Sequence, residues 1–216
     1  MSLITDKRLI FVGGSNGAGK TTIAAALALL ASRRGKRVLV VSTDGDNSLS
    51  AAFTWEIGEQ GAAVCAGIHA LEVNTTDQAT LFERICSLIE DAEDYYDLVI
   101  FDSSPYAQAN TLDSASAEQR ALFDRCYQRF QDADNTAFML VLTPEPDSVG
   151  QAQALLLAWQ AKALPVHALL VNQVSPESHP VQTLHTVQHA IPLLPTPVQG
   201  IAALQQTAVL LDQLDV

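Results

Sequence analysis

The 216-residue sequence predicts an α/β fold in which a doubly wound, mostly parallel sheet is flanked by helices. Two observations carry this prediction. Short apolar runs alternate with longer helical patterns from end to end, as repeated strand–helix–strand units require. Runs such as LVIF, residues 98–101, lack alternating polar residues, which is typical of strands covered on both faces. No repeat or linker interrupts the pattern, so residues 1–216 are predicted to form one domain.

The predicted elements follow in chain order from this alternation. The strands, rich in branched and aromatic residues, are Arg8–Val12, Arg37–Ser42, Ile68–Val73, Leu98–Phe101, Ala137–Leu142, Val166–Val171 and Ile191–Leu194. The helices, recognised by apolar residues three and four apart, are Lys20–Arg34, Gln78–Glu93, Ala117–Gln131, Ser148–Ala163, Val181–Ala190 and Ile201–Leu214. The Gly- and Ala-rich segment Phe53–Gly67 and the polar segment Tyr106–Ser116 are predicted loops. Ser116 and Gln119 form a predicted capping box for the helix that follows.

Charge is distributed unevenly along this chain, whose formal net charge is −12. Residues 1–40 carry seven Lys and Arg against one acid, whereas residues 41–216 carry five against 23 acids. Such a surface repels DNA phosphates and anionic lipid over most of its area, so broad DNA contact is disfavoured. Limited contact with DNA is still possible through one basic cluster, which comprises Arg33, Arg34, Lys36 and Arg37.

The expected location is cytoplasmic. Residues 1–10 lack the apolar core of a signal peptide, and no apolar run approaches the ~20 residues that cross a bilayer. Cys65, Cys86 and Cys126 lie far apart without a CxxC pair, so we expect reduced, mostly buried thiols and no zinc framework.

Residues 14–21, GSNGAGKT, satisfy the GxxxxGK[ST] pattern of a phosphate-binding loop. A predicted strand precedes them and an Ala/Leu-rich helix follows, which is the context that the motif requires. Glycines let successive backbone N–H groups point into one concavity, and the helix N-terminus adds partial positive charge. Lys20 is expected to bridge the β- and γ-phosphates and Thr21 to ligate Mg²⁺. The predicted nucleotide contacts are Gly14, Ser15, Asn16, Gly17, Ala18, Gly19, Lys20 and Thr21.

Acidic residues follow two further predicted strands. Asp102 comes directly after LVIF, in the manner of a Walker B acid that holds Mg²⁺ through water. Asp44 and Asp46 follow the strand that ends at Ser42, and one of them could orient an attacking water. The alternative for both residues is a solvated turn.

Five ordered segments resemble the family of arsenite-pump ATPases and tail-anchored-protein-targeting ATPases. They are RGKRVLVVSTDGDNSLSAAF, YDLVIFDSSP, LVLTPEPDSV, ALLVNQVSP and IPLLPTPVQGIAAL. That family belongs to the deviant Walker A group, together with the ParA and MinD positioning ATPases. The resemblance covers most of the chain apart from residues 55–67 and 106–135.

The resemblance implies a set of roles for individual residues. Family members pair face to face around two nucleotides and use ATP to switch between open and closed dimers. Thr22 matches the residue near the α-phosphate, Asp44 the acid that polarises the attacking water, and Asp102 the Walker B acid. Asn172 matches the asparagine that reads the adenine edge, and Pro195 lies in the stretch that covers the adenine ring.

The sequence also departs from the family pattern. The family loop reads GKGGxGKT, and its first lysine reaches the partner's phosphates; Ser15 and Asn16 replace that lysine and the glycine that follows it. Loss of a comparable cation in phosphoryl transfer costs ~10³-fold or more in rate. The missing lysine has three possible consequences. Hydrolysis is slow, or another cation such as Lys162 takes its place, or the face-to-face dimer does not form. The length of 216 residues leaves no room for the helical insertion that binds cargo in the targeting ATPases. The cysteines that bind arsenite in the pump ATPases have no counterparts in this sequence.

The sequence therefore predicts a Mg²⁺- and ATP-dependent switch that hydrolyses ATP slowly and forms a nucleotide-dependent homodimer. Its predicted work resembles that of ParA and MinD: presenting a nucleotide-dependent surface to a protein partner or cargo. One alternative is a P-loop kinase or ligase acting on a small acceptor, for which only Arg120, Arg125 and Arg129 could supply the lid. The other is a nucleotide-binding adaptor that does not hydrolyse ATP.

Three weaker patterns are expected to be structural or incidental. His179, His185 and His189 cluster, with the last two at a metal-ligand spacing on a predicted helix. An apolar stripe on the helix 117–131 is interpreted as packing, with a partner surface as the alternative; it comprises Leu122, Phe123, Cys126, Tyr127 and Phe130. The last helix carries acids and no cation, so core packing is favoured over membrane binding.

Overall fold

The structure is a computed structural model that describes residues 3–44, 46–75, 77–102, 116–178, 181 and 188–214. Its centre is an eight-stranded sheet with the order β3-β4-β2-β5-β1-β6-β7-β8. All neighbouring strands are parallel except β3 and β4. The strands are β1 (Leu9–Gly14), β2 (Val38–Ser42), β3 (Ala62–Cys65), β4 (Ile68–Glu72), β5 (Leu98–Asp102), β6 (Thr136–Leu142), β7 (Val166–Val174) and β8 (Gln188–Pro192).

Helices cover both faces of this sheet, which confirms the doubly wound, mostly parallel α/β fold. They are α1 (Leu3–Asp6), α2 (Lys20–Arg33), α3 (Ser48–Phe53), α4 (Gln78–Ala92), α5 (Ala117–Gln131), α6 (Pro146–Ala161) and α7 (Gly200–Gln213). On one face, α1, α2, α3 and α7 share an apolar core with strand residues such as Ile10 and Val12. On the other face, α4, α5 and α6 pack on alternate strand residues such as Leu9 and Phe11.

The inner strands are buried on both sides, as their apolar runs predict. Phe11, at the centre of the sheet, stacks on Phe101 and Phe138 from the two neighbouring strands, with ring centroids 4.9 and 4.7 Å apart. Helix α2 is buried continuously from Ile23 to Ala31. Its small alanines allow this close approach to the sheet and to α7.

Two element predictions are wrong. The predicted helix Val181–Ala190 overlaps β8, in which residues 188–190 are extended and pair with β7, while residues 182–187 lie outside the described part of the chain. Residues 53–67 were expected to form a loop but contain β3, which is joined to β4 by a two-residue turn at Ala66 and Gly67. Gly67 has φ +78°, which a tight hairpin favours and glycine adopts readily. The short helices α1 and α3 are additional.

The remaining structural predictions have clear outcomes. Ser116 caps α5 through the predicted box with Gln119; the rest of Tyr106–Ser116 lies outside the described residues. The α5 stripe packs in the core, with Phe123, Cys126 and Phe130 buried. Helix α7 likewise packs its apolar face against α2. All three cysteines are free thiols, and Cys86 and Cys126 are buried. Among the described helices, none is long and apolar enough to cross a membrane.

Candidate functional site

The phosphate-binding loop connects β1 to α2 and depends on glycine at three positions. Gly14 has φ +151°, and a Cβ there would lie 1.8 Å from the carbonyl oxygen of Val141 on β6. Gly17 and Gly19 have φ +72° and +88°, in the left-handed region that side chains disfavour. The loop therefore presses against β6 and then turns sharply into the first residue of α2. This backbone path is the one that the GxxxxGK[ST] pattern predicts.

Ser15, where the resemblance leads us to expect a lysine, points into the protein. Its side chain is 3% exposed, and its Oγ lies 2.5 Å from the Oγ of Ser148 at the start of α6. The Ser148 hydroxyl oxygen also accepts a hydrogen bond from the backbone N–H of Thr143 at 2.8 Å. The N–H of Ser15 donates to the carbonyl oxygen of Val141 at 3.3 Å. The hydroxyl and the N–H of Ser15 thus both anchor the loop to β6 and the start of α6.

Lys20 lies over the loop that it follows. Its Nζ donates to the carbonyl oxygen of Ser15 at 3.2 Å. The neighbouring Asn16 and Gly17 are exposed, whereas Ala18 is buried. The lysine charge is therefore held beside the open face of the loop, where a phosphate would lie.

Asp102, the last residue of β5, is fully buried and sits beside the start of α2. Burial raises the pKa of this carboxyl group to about 6, and the negative charge of Asp44 acts in the same direction. Hydrogen bonds from Thr21 and Ser48 and the charge of Lys20 oppose the rise. These contacts bring four of the predicted site residues together.

The second acid, Asp44, is held by two serines. Its Oδ1 accepts hydrogen bonds from Ser42 Oγ at 2.7 Å and from Ser48 Oγ at 3.0 Å. The same Ser48 Oγ lies 3.4 Å from Oδ2 of Asp102, so this one hydroxyl group lies between the two carboxylates and can share its proton with either. Asp46, the other acid of this segment, is exposed.

This cluster fits a divalent cation. The Oδ1 atom of Asp102 is buried and has no hydrogen-bond partner among the described residues. A buried carboxylate whose pKa is raised is costly to ionise unless a cation compensates it. Carboxylate and hydroxyl oxygens are the ligands that Mg²⁺ prefers. Thr21 and Asp102 are accordingly the residues that would hold Mg²⁺.

A cavity of about 380 Å³ opens beside the loop on the side of α7. Its lining residues are Gly19, Thr22, Asn172, Gln173, Ile191–Val198 and Thr207. Asn172 Nδ2 donates to the carbonyl oxygen of Ala18 at 2.8 Å, which attaches the end of β7 to the loop. The structure thus brings together Thr22, Asn172 and Pro195. A larger cavity of about 700 Å³, lined by residues such as His69 and Tyr95, lies away from these groups, against α4 and β4.

Two polar residues near the site were not anticipated from the sequence. Glu72, at the end of β4, is 2% exposed and accepts hydrogen bonds from the N–H and Oγ of Ser50 at 2.8 and 2.9 Å. It thereby fixes α3, the helix that begins with Ser48. Thr207 lies on α7, far along the chain from the loop. Glu72 was detectable as an acid that ends an apolar run, whereas nothing in the sequence around Thr207 marks it.

The residues considered as a substitute cation, as a DNA-binding patch and as metal ligands do not join the loop site. Lys162 caps the C-terminal end of α6, and the helix residues from Ser148 to Lys162 rise about 21 Å. It is therefore at the opposite end of α6 from Ser15. In the basic cluster, Arg34 pairs with Asp212 and Arg37 with Asp97, which reduces the charge available to DNA. His189 lies on a strand, and His179 and His185 fall outside the described residues.

Comparison with known proteins agrees with the resemblance seen in the sequence. Residues 7–80 match the family model described as anion-transporting ATPase. ATPase ASNA1 homolog 1 from Paramecium tetraurelia is 35% identical over 130 aligned positions, which cover 44% of this chain and 40% of that protein. The chain thus spans about two fifths of the length of the Paramecium relatives that it matches.

Two more distant relatives align over most of both chains. Putative arsenical pump-driving ATPase 2 from Aquifex aeolicus is 22% identical, over 79% of this chain and 81% of that protein. ATPase GET3 from Phaeosphaeria nodorum is 22% identical, over 77% and 76%. These alignments run to 243 and 251 positions, more than the 216 residues of this chain, so the relatives carry inserted segments.

The fold and the loop define the class of protein as a P-loop NTPase. Within that class, the family model matched by residues 7–80 and the relatives above show that this chain is similar to ATPases of the ArsA/GET3 type.

Proposed function

We propose that this protein binds Mg²⁺·ATP and hydrolyses it slowly, as a switch that changes its affinity for a protein partner or cargo. The observation that carries the proposal is the convergence of Lys20, Thr21, Asp44 and Asp102 at the carboxyl ends of β1, β2 and β5. Ligands of parallel α/β sheets bind at this edge.

Each residue of the site has a role that its position supports. The loop amides and the N-terminus of α2 hold the β-phosphate, and Lys20 bridges to the γ-phosphate. Mg²⁺, when bound by Thr21 and Asp102, would neutralise charge on the phosphates. Asp44 accepts a hydrogen bond from the attacking water and aligns its oxygen with the γ-phosphorus. The water forms the new P–O bond, the bond to the bridging oxygen of ADP breaks, and the proton leaves with the phosphate.

The absence of a positive charge at Ser15 is an argument that ATP hydrolysis is slow. A serine hydroxyl carries no charge, and this one is buried against Ser148 rather than directed toward a second molecule. Lys162 lies too far along α6 to replace the missing lysine within the same chain. Among the described residues of the loop, Lys20 is the one that carries a positive charge, so within each chain it and Mg²⁺ would be the cations that offset the developing charge on the γ-phosphate.

The proposed dimer resembles those of ParA and MinD. Two copies of the chain close over two nucleotides, and the closed dimer presents a surface to a protein partner. The relatives named GET3 and arsenical pump-driving ATPase support partner-dependent work in general. The acidic composition disfavours DNA as that partner.

A second candidate is a nucleotide-binding adaptor that does not hydrolyse ATP. The inward packing of Ser15 is the observation that favours it. The kinase alternative gains no such support, because Arg125 pairs with Glu90 and Arg129 with Glu93 on the neighbouring α4 region.

Two carboxylates two residues apart allow a matched test. In Asp44→Asn, hydrolysis of ATP is expected to fall about 100-fold or more while ATP binding persists, because water positioning is lost and the phosphate contacts stay. In Asp46→Asn, the exposed control, hydrolysis is expected to match wild type. Phosphate release and calorimetric ATP affinity measure the two effects.

If the wild-type protein binds ATP tightly but releases no more phosphate than Lys20→Ala, the protein is an adaptor that does not hydrolyse ATP, and the proposed switch is wrong. Absence of ATP binding by the wild-type protein would refute the proposed function altogether.

A further inference from the structure

Thr207 has an unusual buried hydroxyl group. It lies in the middle of α7 and is 2% exposed, yet its Oγ1 has no hydrogen-bond partner among the described residues. A threonine in a helix commonly bonds to the carbonyl oxygen one turn earlier. A buried hydroxyl without a partner destabilises a protein, so such a group calls for an explanation.

The position of this hydroxyl group supplies the explanation. Thr207 lines the cavity of about 380 Å³ that also contacts Gly19 and Thr22. Among the residues that line the cavity, only Ile191 and Thr207 are buried, so these two side chains form its floor. The walls are largely apolar and include Leu194 and Pro195.

Two other polar side chains that line the cavity, Asn172 and Gln173, are bonded to the loop. The amide nitrogen of Asn172 donates to Ala18, and that of Gln173 donates to the carbonyl oxygen of Gly17 at 3.1 Å. The hydroxyl of Thr207 is therefore a buried polar group at the floor with its hydrogen-bonding capacity unused.

We propose that Thr207 hydrogen-bonds the purine base of the bound ATP. The inference rests on the proposed function and adds a specificity-determining residue to that same site. The largely apolar walls suit a base. A hydroxyl group both donates and accepts, so it can pair with a ring nitrogen or with the exocyclic amino group.

The isosteric variant Thr207→Val tests the proposal because it removes the hydroxyl and keeps the shape. We expect it to weaken binding of Mg²⁺·ATP about 3- to 10-fold, the loss of one hydrogen bond. Inorganic tripolyphosphate, which has no base, should bind equally to both proteins. The unfolding temperature without nucleotide should stay constant or rise, because an unpaired buried hydroxyl is removed. Thr207→Ser, which keeps the hydroxyl, should retain most of the ATP affinity.

Binding of 2′-deoxyATP locates the contact on the nucleoside. An equal loss for ATP and 2′-deoxyATP supports the base, whereas a loss that disappears with 2′-deoxyATP assigns the hydroxyl to the ribose and overturns the proposal. Unchanged ATP affinity in Thr207→Val, or a lower unfolding temperature without nucleotide, would also overturn it. If the wild-type protein binds no ATP, both the proposed function and the role of Thr207 are wrong. If wild type binds ATP and Thr207→Val binds it equally well, only the role of Thr207 is wrong.

Discussion

Ser15 shows how one residue changes the expectations for a whole site. The resemblance leads us to expect a lysine at this position, and the sequence alone does not decide what its absence changes. In the structure, Ser15 and Ser148, 133 residues apart, join their hydroxyl groups in a buried contact. A lysine side chain could not occupy this small polar pocket without displacing α6. The substitution therefore exchanges a mobile charge for a fixed anchor of the loop.

A double-mutant cycle tests this anchor. Ser15→Ala and Ser148→Ala are each expected to lower the free energy of unfolding by about 0.5 to 1.5 kcal/mol, and the double variant by less than the sum. A coupling energy of about 1 kcal/mol, measured by urea denaturation, reports the direct contact because the loss of the Thr143 bond cancels in the cycle. Additive effects would show that the two hydroxyl groups do not stabilise each other.

The elements that the sequence predicts well are those covered on both faces. β1, β2, β5, β6 and β7 read as apolar runs because both of their faces are buried. The edge strand β8 has a single buried residue, Ile191, so its composition resembles a polar helix or loop. Helix α3 is only six residues long and depends on Glu72 from β4, a tertiary contact that no local pattern encodes.

The candidate site divides in the same way. The loop glycines, Lys20 and Asp102 were predictable because each sits at a strand end or within a local motif. Thr207 and Ser148 were not, since their contacts depend on helices that reach the loop from distant parts of the chain.

One ion pair ties two parallel strands together at the start of each. Asp97 accepts hydrogen bonds from the guanidinium and from the backbone N–H of Arg37, which lower the pKa of its carboxyl group to about 2. Because the folded pKa is below the unfolded one, the contribution to stability is present above about pH 4 and is lost as pH falls toward 2. Both side chains are largely exposed, so solvent screens the pair and its contribution to stability is small.

Urea denaturation at several pH values checks this. The difference between wild type and Asp97→Asn should be constant from about pH 7 to pH 5 and shrink below about pH 4. Asp94→Asn, an exposed neighbour, is the matched control. A difference that persists unchanged at low pH would contradict the role assigned to the ion pair.

At the scale of the whole molecule, the carboxyl edge of the sheet concentrates the polar groups that need a ligand. Asp102 is buried with an unpaired oxygen, and Thr207 is buried with an unpaired hydroxyl, on the two sides of the same loop. Among the described residues, the other buried side-chain atoms without a hydrogen-bond partner belong to Arg129 and Trp159, which do not line the cavity beside the loop. A bound Mg²⁺·nucleotide would satisfy both groups at once, which predicts a large stabilisation by ligand.

Thermal unfolding measures that stabilisation. Mg²⁺·ATP at about 100 times its Kd should add about 2.7 kcal/mol, which is about 5 to 11 °C for a domain of this size. Removal of Mg²⁺ with a chelator should abolish most of the shift. Asp102→Asn should lose the Mg²⁺-dependent part, while its unfolding temperature without nucleotide at pH 8 should be unchanged or higher, because a buried charge is gone. An equal shift in Asp102→Asn would rule out this residue as part of the metal site.

The central claim is a nucleotide-dependent switch, and solution molar mass by light scattering tests it most directly. The protein to use is Asp44→Ala, in which slow hydrolysis cannot deplete the ATP state. The account predicts a homodimer with Mg²⁺·ATP and a monomer with ADP or without nucleotide. A monomer in all three conditions, with tight ATP binding, would contradict the switch and favour the adaptor.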